Sequence, residues 1–143
     1  MAAIWTLTGT IVSGVGQAAF FTRLDWVQEQ CEAKLGFRPY PGTLNIESDQ
    51  ESEALLGAIM DAEAIVLEPP DPQFCVGRVL PAHIGGIEAA LIIPEERVNV
   101  HGSRVFEIMA PVGIKDALRL DDGDRVEVVV RAPRDDDARG AAV

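Results

Sequence analysis

With 143 residues, 48% of them apolar, the chain fits one domain with one core, since a domain of about this length buries roughly two thirds of its unfolded-chain surface. The formal net charge of -11 argues against broad nucleic-acid binding, which needs a basic surface to displace phosphate counterions, but leaves small anions open through backbone N–H groups, a metal ion and a few local cations. No apolar run approaches the ~20 residues that span a bilayer, and the start, Met1-Ala2-Ala3-Ile4-Trp5-Thr6, lacks the basic region and apolar stretch of a secretory signal, so a cytoplasmic protein with no membrane partner is expected.

Residues 4–13 read as a β-branched strand, broken by Ser13-Gly14-Val15-Gly16-Gln17. A helix follows. Thr22 or Asp25 can cap it, Leu24, Val27, Cys31 and Leu35 recur at helical spacing, and Gly36 follows Lys34 and Leu35 as a C-terminal cap. Pro39-Tyr40-Pro41-Gly42 then turns the chain into a short strand at 43–47. Residues 52–60 predict a second short helix with Leu55, Leu56 and Ile59 inward, although Gly57 weakens it by about 1 kcal/mol relative to Ala.

From residue 62 the pattern changes to short strands at 64–67, 74–80, 89–93, 105–110 and 125–130, with one helical turn at 115–118. Pro69-Pro70-Asp71-Pro72, Gly85-Gly86, His101-Gly102-Ser103 and Asp121-Asp122-Gly123-Asp124 supply the turns between them. Strands at such spacing predict a mainly β fold, a compact closed or nearly closed barrel with one or two short helices. Residues 131–143 carry three consecutive aspartates and few large apolar groups, so a disordered acidic tail is expected after a domain at 1–130. Cys31 and Cys75 have no CxxC spacing and no histidine at ligand distance, and read as small buried hydrophobes rather than zinc ligands. His83 and His101 fall in turn-rich segments, which suits exposed or capping roles.

Four features bear on chemistry. Gly14-Val15-Gly16-Gln17-Ala18-Ala19 formally fits GxGxxA, but no βαβ unit or acidic strand end follows, so the dinucleotide reading fails. Such a loop can still converge its N–H groups on phosphate, or be a plain crossover turn. Thr43 and Asn45 stand at i and i+2, so on a strand they share one face; a hydroxyl beside a carboxamide can hold a hard cation that also touches phosphate, or be two surface polar residues. Glu107 lies within the apolar strand Val105-Phe106-Glu107-Ile108-Met109. It faces solvent by alternation, or a cavity where it accepts a hydrogen bond from a substrate hydroxyl or assists its deprotonation. Lys115, beyond Pro111-Val112-Gly113-Ile114, is a surface cation or a phosphate partner. There is no GxxxxGK[ST], HExxH or GxSxG, which removes the P-loop kinases and the commonest hydrolase motifs.

The order Gly14-x-Gly16, then Leu35-Gly36-Phe37-Arg38-Pro39-Tyr40-Pro41-Gly42-Thr43-Leu44-Asn45, then FExxAP from Phe106, then the DGD of residues 122–124 resembles the archaeal-type, CTP-dependent riboflavin kinase family. The resemblance covers about residues 5–130. It implies a cradle-loop β-barrel that transfers the terminal phosphate of CTP to the 5'-hydroxyl of riboflavin, giving FMN and CDP. Carried onto this chain, it implies Mg2+ on Thr43 and Asn45, and nucleotide on Gly14, Val15, Gly16, Gln17, Ala18 and Ala19 together with Val112, Gly113, Ile114 and Lys115. It implies Glu107 on the flavin side, orienting the ribityl hydroxyl as the catalytic residue. The chain departs from the family at Gln17-Ala18-Ala19, where a GxGEG-like loop and a basic residue are usual, and at Ile114-Lys115, where Leu-Arg is usual. The flavin-contacting threonine has no counterpart at Arg97. The alternative is a non-catalytic or differently specific flavin- or nucleotide-binding barrel.

Overall fold

A computed structural model describes residues 3–13, 20–71, 76–93 and 104–133. Strand β1 (Ile4–Val12) leads to helix α1 (Asp25–Leu35), β2 (Leu44–Ser48), α2 (Gln50–Asp61), β3 (Ile65–Leu67), the hairpin β4 (Gly77–Ile84) and β5 (Ile87–Ile93), then β6 (Val105–Met109), α3 (Ile114–Leu118) and β7 (Arg125–Arg131). The strands run in the order β3-β4-β5-β6-β2-β1-β7, and β4 also pairs with β7. All the pairings are antiparallel. The β4–β7 contact therefore closes six strands into a ring, while β3 hangs on the first half of β4. Closure removes the unpaired edges that an open sheet would present, and it bears out the mainly β, barrel-like expectation.

Alternation along the strands decides what lies inside the ring. Leu7 and Ile11 of β1, Ile46 of β2, Leu80 and Ile84 of β4, Leu91 of β5, Ile108 of β6 and Val128 of β7 form one fully buried cluster, which Leu56 and Ile59 of α2 and Ile114 of α3 join. Alternate residues on the opposite face, Val79, Ala90 and Met109, meet Val27 and Cys31 of α1 in a second cluster. Both α1 residues lie on one helical stripe, as the spacing predicted. Gly36 ends the helix at φ 85 with its N–H on the Cys31 and Glu32 carbonyls, the left-handed stop that glycine adopts without Cβ strain.

Several boundaries move for identifiable reasons. Strand β4 runs on to Ile84 rather than stopping at 80, because Pro81 falls between Val79, the last residue on that side paired to β3, and Ala82, the first paired to β7. A missing N–H costs least in such a gap. Gly85 and Gly86, at φ 54 and 83, make the two-residue hairpin turn whose twist suits antiparallel strands. Strand β7 extends through Arg131, and Ala132 N–H then bonds the Ala3 carbonyl, so the fold reaches beyond the expected boundary at 130. Helix α2 is longer than predicted, because Gln50 and Glu51 join it ahead of buried Ser52. Cys75, His101 and the tail beyond 133 lie outside the described residues. Among the described residues, no helix is long and apolar enough to cross a membrane.

Candidate active site

Leu44 and Ile46 point into the ring, so Asn45 lies on the other face of β2, and Thr43 immediately precedes the strand. Register then sets their neighbours. Asn45 pairs with Glu107 on β6 and with Val12 on β1, and Glu107 pairs in turn with Ile92 on β5. Thr43 Oγ1 donates to Glu107 Oε1 at 2.7 Å across 64 residues of sequence. Thr43, Asn45 and Glu107 are all half-buried. Glu107 is thus neither fully exposed nor fully enclosed: it is half-buried on the outer face of the ring, with one carboxylate oxygen bonded to Thr43.

This donor set fits a hard divalent cation. Thr43 donates its hydrogen bond to the Glu107 carboxylate and keeps its oxygen lone pairs, and Asn45 adds a carbonyl oxygen two residues further on. Such ions bind few protein oxygens and take their remaining ligands from water and phosphate. Among the described residues, no group of three or more His, Cys, Asp or Glu forms a competing metal cage.

The turn that delivers Thr43 is tied down at three points. Tyr40 N–H bonds the Ala110 carbonyl at 2.7 Å, Gly42 N–H bonds Thr22 Oγ1 at 2.9 Å, and Gln28 Nε2 bonds the Pro39 carbonyl at 2.7 Å. Gly42 takes φ 127, a backbone region that side chains rarely allow. Tyr40, 51% exposed, lays its ring over Gly113, where an added Cβ would stand 3.5 Å from Tyr40 Cε1. The 110–113 segment is thereby placed against the turn. Val112 is exposed, Ile114 is buried in the core, and Lys115 donates to Asp122 Oδ1 at 2.6 Å. Ile114 therefore has only its backbone to offer a ligand. Asp122 also accepts a hydrogen bond from Ser13, the residue that precedes the glycine loop. Residues 14–19 themselves lie outside the described residues, as does Arg97.

The family model CTP-dep_RFKase, described as Domain of unknown function DUF120, matches residues 11–130. This chain belongs to that family. A riboflavin kinase of Methanosarcina barkeri is 35% identical over 131 residues, covering 90% of this chain and 57% of the relative. A riboflavin kinase of Ignicoccus hospitalis is 38% identical over 128 residues, 87% of this chain and 70% of the relative. One from Pyrobaculum aerophilum is 38% identical over 131 residues, 87% and 60% of the two chains. This chain thus spans well under the full length of the relatives it matches.

In this member of the CTP-dep_RFKase family, Lys115 and then Ser13 hold the Asp122 carboxyl below the usual carboxylate range by hydrogen bonding to its ionised form. Asp49, bonded by Arg125 and by Thr8, is lowered in the same way. Burial acts oppositely on Cys31, whose thiol is pushed up to about 12 with Lys34 offsetting only part of the rise. Reading the sequence missed Ser13, Gln28 and Asp122, and gave Thr22 a different task. Thr22 does not cap α1: Leu24 occupies the cap position without a side-chain bond. The DGD turn was visible as part of the family pattern, but nothing in its spacing points to Lys115, seven residues earlier.

Proposed function

We propose that this chain is a riboflavin kinase, transferring the terminal phosphate of CTP to the 5'-hydroxyl of riboflavin to give FMN and CDP, with Mg2+ as the cation. The observation that carries this reading is the Thr43–Glu107 hydrogen bond, with Asn45 in cross-strand register, in a chain that belongs to the CTP-dep_RFKase family. Phosphoryl transfer needs positioning and charge neutralisation more than covalent chemistry, which a small β ring can supply.

In this reading Thr43 and Asn45 hold Mg2+, which when bound would neutralise charge on the nucleotide phosphates. The Glu107 carboxylate orients the ribityl 5'-hydroxyl and takes its proton as the oxygen attacks the terminal phosphorus. A new O–P bond forms, and the bond from that phosphorus to the bridging oxygen breaks, leaving CDP. Backbone N–H groups of 14–19 and 112–115 and the Lys115 ammonium hold the remaining phosphate charge. Small molecules are the only partners this chemistry calls for.

One observation favours a second reading, a flavin- or nucleotide-binding barrel without turnover: Gln17, Ala18 and Ala19 replace a glycine, a carboxylate and a cation of the family loop. Incubating purified protein with riboflavin, Mg2+ and each of CTP, ATP, GTP and UTP, followed by chromatography for FMN, decides between them. FMN with CTP is the expected product. Flavin quenching without FMN from any donor would establish the binding reading instead.

A further inference from the structure

Thr22 is fully buried, and its hydroxyl serves a distant turn rather than its own helix. Thr22 Oγ1 accepts the Gly42 N–H across 20 residues, while the Thr22 carbonyl accepts from Gln28 Nε2 at 2.6 Å. The same Gln28 nitrogen reaches the Pro39 carbonyl at 2.7 Å. One buried hydroxyl and one half-buried amide therefore lash two chain segments together. The first is the segment by which the chain comes back from residues 14–19, where Arg23 and Leu24 N–H groups bond the Phe20 and Phe21 carbonyls. The second is the turn that ends in Thr43. Glycine gives this turn no side chain of its own to hold it, so the bond from Thr22 fixes the plane of the peptide that enters Gly42, and Thr43 follows at the next residue. Thr43 in turn carries the bond to Glu107.

We propose that Thr22 is a positioning residue, clamped by Gln28, that holds the Gly42-Thr43 turn against the start of α1, so that the Thr43 hydroxyl is pre-set for its contact with Glu107 and for the cation. This inference rests on the phosphoryl-transfer reading. Thr22 touches no reacting atom. Its effect passes through Thr43, and two residues coupled in this way show non-additive substitution effects, whereas a general structural role adds independently.

The test is calorimetric titration of the purified chain with CDP in the presence of Mn2+, a binding readout that requires no turnover. Thr22→Val keeps the side-chain shape and removes the acceptor; it weakens binding about tenfold, while Thr22→Ser stays within about twofold of wild type. On a Thr43→Ala background, Thr22→Val adds less than about twofold. Amide exchange at Gly42, measured without ligand, speeds up in Thr22→Val and not in Thr22→Ser. Gln28→Met removes the second clamp and gives the same ordering, so it stands in should Thr22→Val fail to fold. Unchanged binding in both Thr22→Val and Gln28→Met overturns the proposal, as does a Thr22→Val penalty that persists in full without the Thr43 hydroxyl. A wild-type chain that neither binds Mn2+ with CDP nor makes FMN overturns the phosphoryl-transfer reading itself, and that failure is seen before any substitution is made.

Discussion

Replacing Thr43 by valine removes one hydroxyl from the centre of the site while keeping the branched shape. The hydroxyl donates to Glu107 Oε1 at 2.7 Å, and a hydrogen bond to a charged group contributes about 1.5–3 kcal/mol. Both partners are half-buried, so water replaces part of the lost bond and the low end, about 1.5 kcal/mol, applies. For a chain of this length that corresponds to a fall in Tm of roughly 3–6 °C. The effect on turnover is larger, because the same oxygen is the proposed cation ligand and Glu107 loses the contact that orients it. Loss of supporting contacts at metal sites alone costs about 10–100-fold, so kcat/KM for FMN formation should drop by about 100-fold or more, on the order of 2.7 kcal/mol of transition-state stabilisation. The assay is FMN production from riboflavin and CTP by chromatography, with thermal melts in parallel. Thr43→Ser restores both quantities. A Thr43→Val enzyme within about threefold of wild type refutes the role given to this hydroxyl, and equal impairment of Thr43→Ser and Thr43→Val shows that the hydroxyl alone does not carry the effect.

Lys115→Met should raise KM for the nucleotide by about tenfold with a smaller change for riboflavin, since a point charge near phosphate is what is lost; equal rises for both substrates would place Lys115 elsewhere. Folded-state carboxyls of Asp49 and Asp122 lie below their ordinary value, so their contribution is present above about pH 4 and is lost as the pH falls through the lowered folded values. A protein carrying Asp49→Asn and Asp122→Asn should therefore show a shallower fall of Tm between about pH 4 and pH 2 than wild type. Gly9 lies where an added Cβ would stand 2.3 Å from the Glu47 carbonyl oxygen, so Gly9→Ala must push β1 from β2 and should lower stability by about 2–3 kcal/mol in urea titration. With its thiol at about 12, Cys31 is thiolate in only about one molecule in ten thousand at pH 8; in a Cys75→Ser background a thiol reagent should label it at the rate of unfolding, and rapid labelling of the native protein would contradict its burial.

The sequence by itself determined the local elements and the family. Caps, glycine turns and β-branched runs act over a few positions, so the α1 stop at Gly36, the turn at Gly85-Gly86 and the strands at β1 and β7 could be read directly. The ordered motifs likewise marked Thr43, Asn45, Glu107 and Lys115 as the residues to examine. Only the tertiary structure decided how these meet. The β4–β7 pairing that closes the ring and the Thr43–Glu107 bond join positions far apart in the chain, and no periodicity encodes which strand lies beside which. Thr22 shows the limit most clearly. A threonine before a helix reads as its cap, because that is the best hydrogen bond available locally; folding brought the Gly42 N–H within 2.9 Å, and the buried long-range bond took the hydroxyl. Asp122 follows the same logic, since Ser13 stands 109 residues away and becomes its neighbour only when β1 and β7 pair side by side.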